Sequence, residues 1–153
     1  MSSAAETGAS NPLWLTLWII GGFVIVFPVL WCLIVWFLSH LGGWQRLARS
    51  YAAGSRPVTG ERRSGVWGMV GWVSYRFVLT LHFTAEGFFI EVMPLFRIGH
   101  PRLFIPWTAI SARSSSRLLW FRTETLKVGR PLIGSITLPA KVAAGPMASQ
   151  ARP

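Results

Sequence analysis

The chain has 153 residues and a mass of 17.0 kDa; 52% of its residues are hydrophobic and only 13% are charged, against about 25% in an average soluble protein. Fifteen Lys and Arg face five acids, all Glu, for a net charge of +10. This excludes an ordinary soluble enzyme, an acidic disordered tail and a multidomain assembly, and the single Cys32 excludes a disulfide framework or a multi-thiolate zinc site.

Residues 1–12 are polar, hold Glu6 and no basic residue, and form a short extracytoplasmic N-terminus in this reading. Residues 13–38 run twenty-six positions without a charge, and about 20 apolar residues suffice to cross a bilayer core. A transmembrane helix is expected there. Pro28 is tolerable inside such a helix, and Gly21-Gly22 allows another helix to approach closely. Trp14 and Trp18 near one end, with Trp36 and Trp44 near the other, suit two interfacial belts. A cleaved signal peptide would need a basic leader and an apolar run of about 7–15 residues. Neither is present, so the segment is expected to be retained. Every basic residue follows residue 38, which by the positive-inside rule places the C-terminal portion in the cytoplasm and the N-terminus outside.

Residues 39–65 read as a juxtamembrane amphipathic helix and a linker. Leu41, Trp44, Leu47, Ala48 and Tyr51 share one helical face, while Gln45, Arg46 and Arg49 lie on another. That face suits either the membrane surface or packing on the chain's own domain. Residues 52–65, rich in Gly, Ser, Pro and charge, read as an exposed linker.

A cytoplasmic β-rich domain is expected over 66–144. Val73, Tyr75, Phe77, Leu79 and Leu81 alternate with polar positions, which is strand periodicity. A second span there would place Arg76 at its centre, at a cost of about 2.5–3.5 kcal/mol. Further strands are expected at 88–96, 102–105, 117–128 and 132–138, then a short helix over 139–144 and a tail at 145–153. Five strands and a helix describe a small antiparallel sheet or partial barrel, in an α+β membrane protein with one span.

Gly42-Gly43-Trp44-Gln45-Arg46-Leu47-Ala48 and the stretch at 92–110, with Gly99-His100-Pro101 and Ile105-Pro106-Trp107, resemble segments of uncharacterised bacterial single-pass membrane proteins. The resemblance covers about two-thirds of the chain and implies a small cytoplasmic domain similar to pleckstrin-homology (PH-like) sheets. Its motifs are not catalytic.

Reaction chemistry needs positioned titratable groups or a metal. Glu61 and Glu86 sit in a linker and a turn, and Glu91 and Glu124 are placed to pair with Arg97 or Arg122 across a sheet. His40, His82 and His100 lack metal-ligand spacing, and the span contains no His to ligate a pigment. Cys32 lies in the span, Ser114 to Ser116 form a polar loop without a nucleophile elbow, and Gly65, Gly68 and Gly71 precede no phosphate-binding Lys. No catalytic residue, metal or cofactor is therefore expected, and pigment could touch the span only as a contact.

The thirteen arginines are dispersed and accompany no recognition motif, so nucleic acid is not an expected partner. Anionic lipid headgroups attract basic groups near a membrane surface by about 1 kcal/mol each. The expected function is a non-catalytic accessory or scaffolding subunit of a larger inner-membrane complex, of respiratory or photosynthetic type. Its span packs among other membrane subunits and its basic domain clamps their cytoplasmic face. The alternative is a stand-alone tethered module binding anionic lipids or regulatory proteins. Contacts are assigned to Trp14, Trp18, Trp31, Trp36, Trp44, Arg46, Arg49, Arg62 and Arg63, with Phe104 and Trp107 assigned to the core.

Overall fold

A computed structural model describes residues 13–118 and 121–143, so the N-terminus and the tail at 145–153 lie outside the described residues. The chain divides into two compact units at Leu33/Ile34. Helix α1, Leu13–Leu41, begins in the first unit and ends in the second. It is long and apolar enough to cross a membrane. Its side chains from Leu13 to Leu30 are exposed wherever they are large and apolar, and Phe23, Phe27 and Trp31 stack at helical spacing along one face.

The second unit starts with the last turns of α1. Gly43 stops the helix at a φ of +80°, a conformation glycine adopts without steric cost, and opens α2, Trp44–Tyr51. Seven antiparallel strands follow: β1 Glu61–Val70, β2 Val73–Phe83, β3 Gly87–Val92, β4 Leu103–Pro106, β5 Ile110–Leu118, β6 Phe121–Val128 and β7 Gly134–Pro139. Their order is β4-β3-β2-β1-β7-β6-β5, a half-barrel in which β1 joins the two halves of the meander. Residues 140–143 are helical and bury Ala143.

The α+β layout matches expectation, but the strand count does not. β1 begins inside the segment read as linker. Its two glycines and its charged start suggest a loop, yet each glycine has a structural task. Gly65 occupies a bulge at φ +66°, and a Cβ on Gly68 would sit 2.8 Å from Leu79 Cδ1. The span of 117–128 read as one strand belongs to two, paired from Leu118↔Phe121 outward, and Ser114 to Ser116 belong to β5 instead of a loop. β5 is an edge strand with an open face, so its stability requires no apolar alternation. The strand expected at 88–96 ends at Val92, where Pro94–Phe96 forms a 3-10 turn.

Alternation in β2 holds for Tyr75, Leu79 and Leu81 but not for Phe77. Gly68 pairs with Tyr75 and Val66 with Leu79, so β2 uses two more residues than β1 over this stretch. An even insertion keeps Tyr75 and Leu79 on one face and lifts Phe77 out, at φ +58° and 69% exposed.

The main core joins the inner sheet face to α2 through Trp44, Leu47, Leu79, Leu81, Phe88 and Ile136, all essentially buried. The apolar face of α2 therefore packs on its own domain. Trp44 is 0% exposed, which corrects its assignment as an interfacial contact: its indole fills the core. The "linker" is also structural. Ala52 bridges Leu103, Ala53 N donates to Arg102 O, and Ala53 packs with Phe89 and Phe104 on the other sheet face. This covers the edge strand β4, an otherwise exposed pairing site.

The hairpin between β1 and β2 turns through Gly71 and Trp72. Gly71 has φ +57°, donates to Ser135 O, and approaches Gly42 so closely that a Cβ would lie 2.2 Å from the Gly42 carbonyl oxygen. Gly54 shares the φ of +57° but faces open space. Gly54→Ala should cost about 1–2 kcal/mol, the left-handed penalty alone. Gly71→Ala should cost at least about 1 kcal/mol more, because a clash with the Gly42 backbone is added. Equal losses in thermal unfolding of the two full-length variants would contradict this packing.

Candidate functional site

The end of the sheet nearest the last turns of α1 gathers the features that bear on function. Trp44, Tyr75 and His100 form a buried aromatic trio with ring centroids 5.1–5.5 Å apart. Trp44 Nε1 donates to Pro101 O at 2.9 Å. His100 Nδ1 lies 3.0 Å from Ile98 O, a pure acceptor, so Nδ1 carries the proton and donates. Nε2 is then the acceptor for the Tyr75 hydroxyl, 2.9 Å away. Burial lowers the His100 pKa below its ordinary value and raises that of Tyr75, so both stay neutral near pH 7. Gln45 Nε2 donates to Gly99 O and reaches Ser39 Oγ at 3.4 Å, tying α2, the loop after β3 and the end of α1 together.

Beside this trio lies an apolar cavity of about 280 Å³. Val35 and Leu38 of α1, Val73, Tyr75 and Val78 of β2, Phe96 and His100 line it, with Ser74 and Arg76. The polar atoms of Tyr75 and His100 are spent on each other and on Ile98, so the cavity offers apolar surface and no free acid–base pair.

Outside α1, the exposed large apolar side chains among the described residues are Trp72, Phe77, Met93, Leu95, Ile98 and Leu132. All lie on turns and bulges at this end. Gly71, beside Trp72, touches Gly42; Gly99 meets Ser39 and Trp36; Gly134, just after Leu132, meets Leu47. Trp72, at the hairpin tip, is 89% exposed.

The remaining contact residues are scattered over both units. Trp14, Trp18 and Trp36 are exposed and Trp31 is half-buried, all on α1. Arg46 and Arg49 are exposed on α2. Arg62 is exposed on β1, while Arg63 bonds Glu61 at 2.9 Å. Arg62 and Arg63 start β1 at the end opposite its Gly71 turn, so the structure does not join them to the α2 arginines in one patch. Phe104 is buried, and Trp107 is half-buried with Nε1 donating to Thr84 O. Sequence reasoning missed Trp72, Phe77, Leu95 and Ile98. The signal for them was Gly71-Trp72 as a tight turn and Pro94 as a strand stop, which put bulky residues where nothing folds over them.

On the sheet, Glu91 accepts from Arg102 Nε at 2.9 Å and from Arg97 at 3.2 Å, and His82 Nε2 lies 3.4 Å away. Burial alone would raise the Glu91 pKa, but Arg102 and His82 outweigh it and hold the carboxyl below its usual value. Glu124 pairs with Arg113 at 3.2 Å. The expected Glu91–Arg97 contact is present, and Arg113 stands where Arg122 was the candidate for Glu124. Among the described residues no three His, Cys, Asp or Glu side chains come together to hold a metal. Comparison with family models, curated proteins and solved structures gives no match.

A His whose folded pKa is lowered binds fewer protons than its unfolded counterpart, so stability falls as pH drops below the unfolded value of 6.5. The unfolding midpoint of the full chain should therefore fall as pH is lowered from about 7.5 to below 6.5, beyond any loss seen in His100→Gln. Tyr75→Phe should cost about 1–3 kcal/mol at pH 7.5, because it strands the buried Nε2 acceptor. A flat pH profile with a silent Tyr75→Phe would show that the pair is not formed.

Proposed function

We propose that the chain is a single-pass protein of a bacterial inner membrane, with its N-terminus outside and its β domain in the cytoplasm. In this reading it works without catalysis, as an accessory or scaffolding subunit of a larger membrane complex of respiratory or photosynthetic type. The observation that carries the proposal is the surface of α1. Its large apolar side chains are exposed over its first eighteen residues, while the core of the second unit is filled by that unit's own side chains. Such a surface is stable only when lipid or other helices cover it. Gly21 and Gly22 have open space where a Cβ would stand, and the Phe23–Phe27–Trp31 stack offers a firm aromatic ridge; both suit a neighbouring helix. Fifteen basic residues after α1 support the cytoplasmic placement. Seven strands followed by helical residues 140–143 support the PH-like reading of the domain.

Two measurements test the reading separately. The full chain should stay with the membrane pellet in alkaline carbonate, and release into the supernatant would end the membrane claim. After gentle detergent extraction it should migrate on a native gel far above its 17.0 kDa mass, together with other subunits identifiable by mass spectrometry. Migration alone as a monomer would end the subunit claim.

A further inference from the structure

We propose that the cavity beside the end of α1 binds one anionic phospholipid, with an acyl chain in the cavity and the phosphate on Arg76. The inference rests on the membrane part of the proposed function and names a ligand for the site described above. Three observations carry it. The lining is mostly apolar, the polar atoms of Tyr75 and His100 are already satisfied, and the volume of about 280 Å³ is near the small end of ligand pockets, about 300 Å³. It therefore suits an apolar chain, and among its lining residues only Ser74 and Arg76 keep donors for a polar group.

The rim supplies the complementary charge. Arg76 lines the cavity, is exposed, and has no acidic partner among the described residues; no Asp or Glu lines the cavity. A guanidinium is the side chain best shaped to take a phosphate through two parallel N–H donors.

The third observation is position. Val35 and Leu38 form one wall, and both belong to the last turns of α1, the helix that would bring the site to the bilayer interface. The exposed Trp72, Leu95 and Ile98 stand on turns around the same end, as side chains that enter the headgroup layer would. A lipid reaching the cavity would then leave an apolar environment only for another one. A peptide segment would bring a row of backbone N–H and C=O groups, and only Ser74 and Arg76 are there to satisfy them.

The test is native mass spectrometry of the full chain in mild detergent with equimolar phosphatidylglycerol and phosphatidylcholine. One phosphatidylglycerol should be retained, in roughly fivefold preference. Arg76→Gln should abolish the preference, Val78→Phe should abolish retention by filling the cavity, and Arg62→Gln should change neither. Glycerol 3-phosphate, the anion without its chains, should not displace the lipid. Equal retention of the two lipids, retention indifferent to both Arg76→Gln and Val78→Phe, or displacement by glycerol 3-phosphate would overturn the assignment. Carbonate extraction reads the membrane claim independently, so failure of the lipid site and failure of the anchor are distinguishable.

Discussion

Trp44 is the side chain on which the second unit is assembled. Its indole is fully enclosed, its N–H donates to Pro101 O, and its rings meet Tyr75 and His100. For the indole to reach that place the chain must reverse within Gly42-Gly43. Gly43 supplies the left-handed turn, and Gly42 has no side chain to hold off Gly71 and Val73. Once Trp44 is seated, Leu47 and Ala48 follow onto the sheet one helical turn later, and Gln45 faces the Gly99 carbonyl. The close approach of Gly71, the loop carrying His100 and the wall of the cavity all depend on that one insertion.

Much of this was legible in the residues. The uncharged run at 13–38 set the long helix, and the spacing of Trp44, Leu47, Ala48 and Tyr51 set the buried face of α2. The sequence left open whether that face meets a membrane or the chain's own domain. A solitary Trp on a short amphipathic helix fits both until its indole N–H is seen bonded to Pro101. The β1 strand escaped notice because a glycine under Leu79 is needed for tight packing, whereas in a string of letters Gly signals a loop. β5 escaped notice because Ser and Arg on an open edge give no period of two. Phe77 broke the pattern through a two-residue bulge, which leaves its neighbours in phase and so leaves no trace in the alternation.

The charge distribution acquires a finer meaning in three dimensions. The acids of the domain are few, and those within strands are paired: Glu61 with Arg63, Glu91 with Arg97 and Arg102, Glu124 with Arg113. Neutralisation inside the sheet leaves Arg46, Arg49 and Arg76 to set the character of the end near α1, where the exposed apolar residues also stand. Apolar side chains interleaved with cations suit a surface that is apolar within and anionic at its rim. A purely polar ligand would use only half of it.

The central claim is that residues 34–51 and the sheet form one cooperative unit, locked by Trp44, instead of a domain trailing from a helix on a loose tether. Hydrogen exchange on the full chain in nanodiscs tests this most directly. The account predicts that the amides of α2 exchange as slowly as those of β2 and β3, through the same global opening. Exchange of α2 within the labelling dead time, while the sheet stays protected, would contradict it.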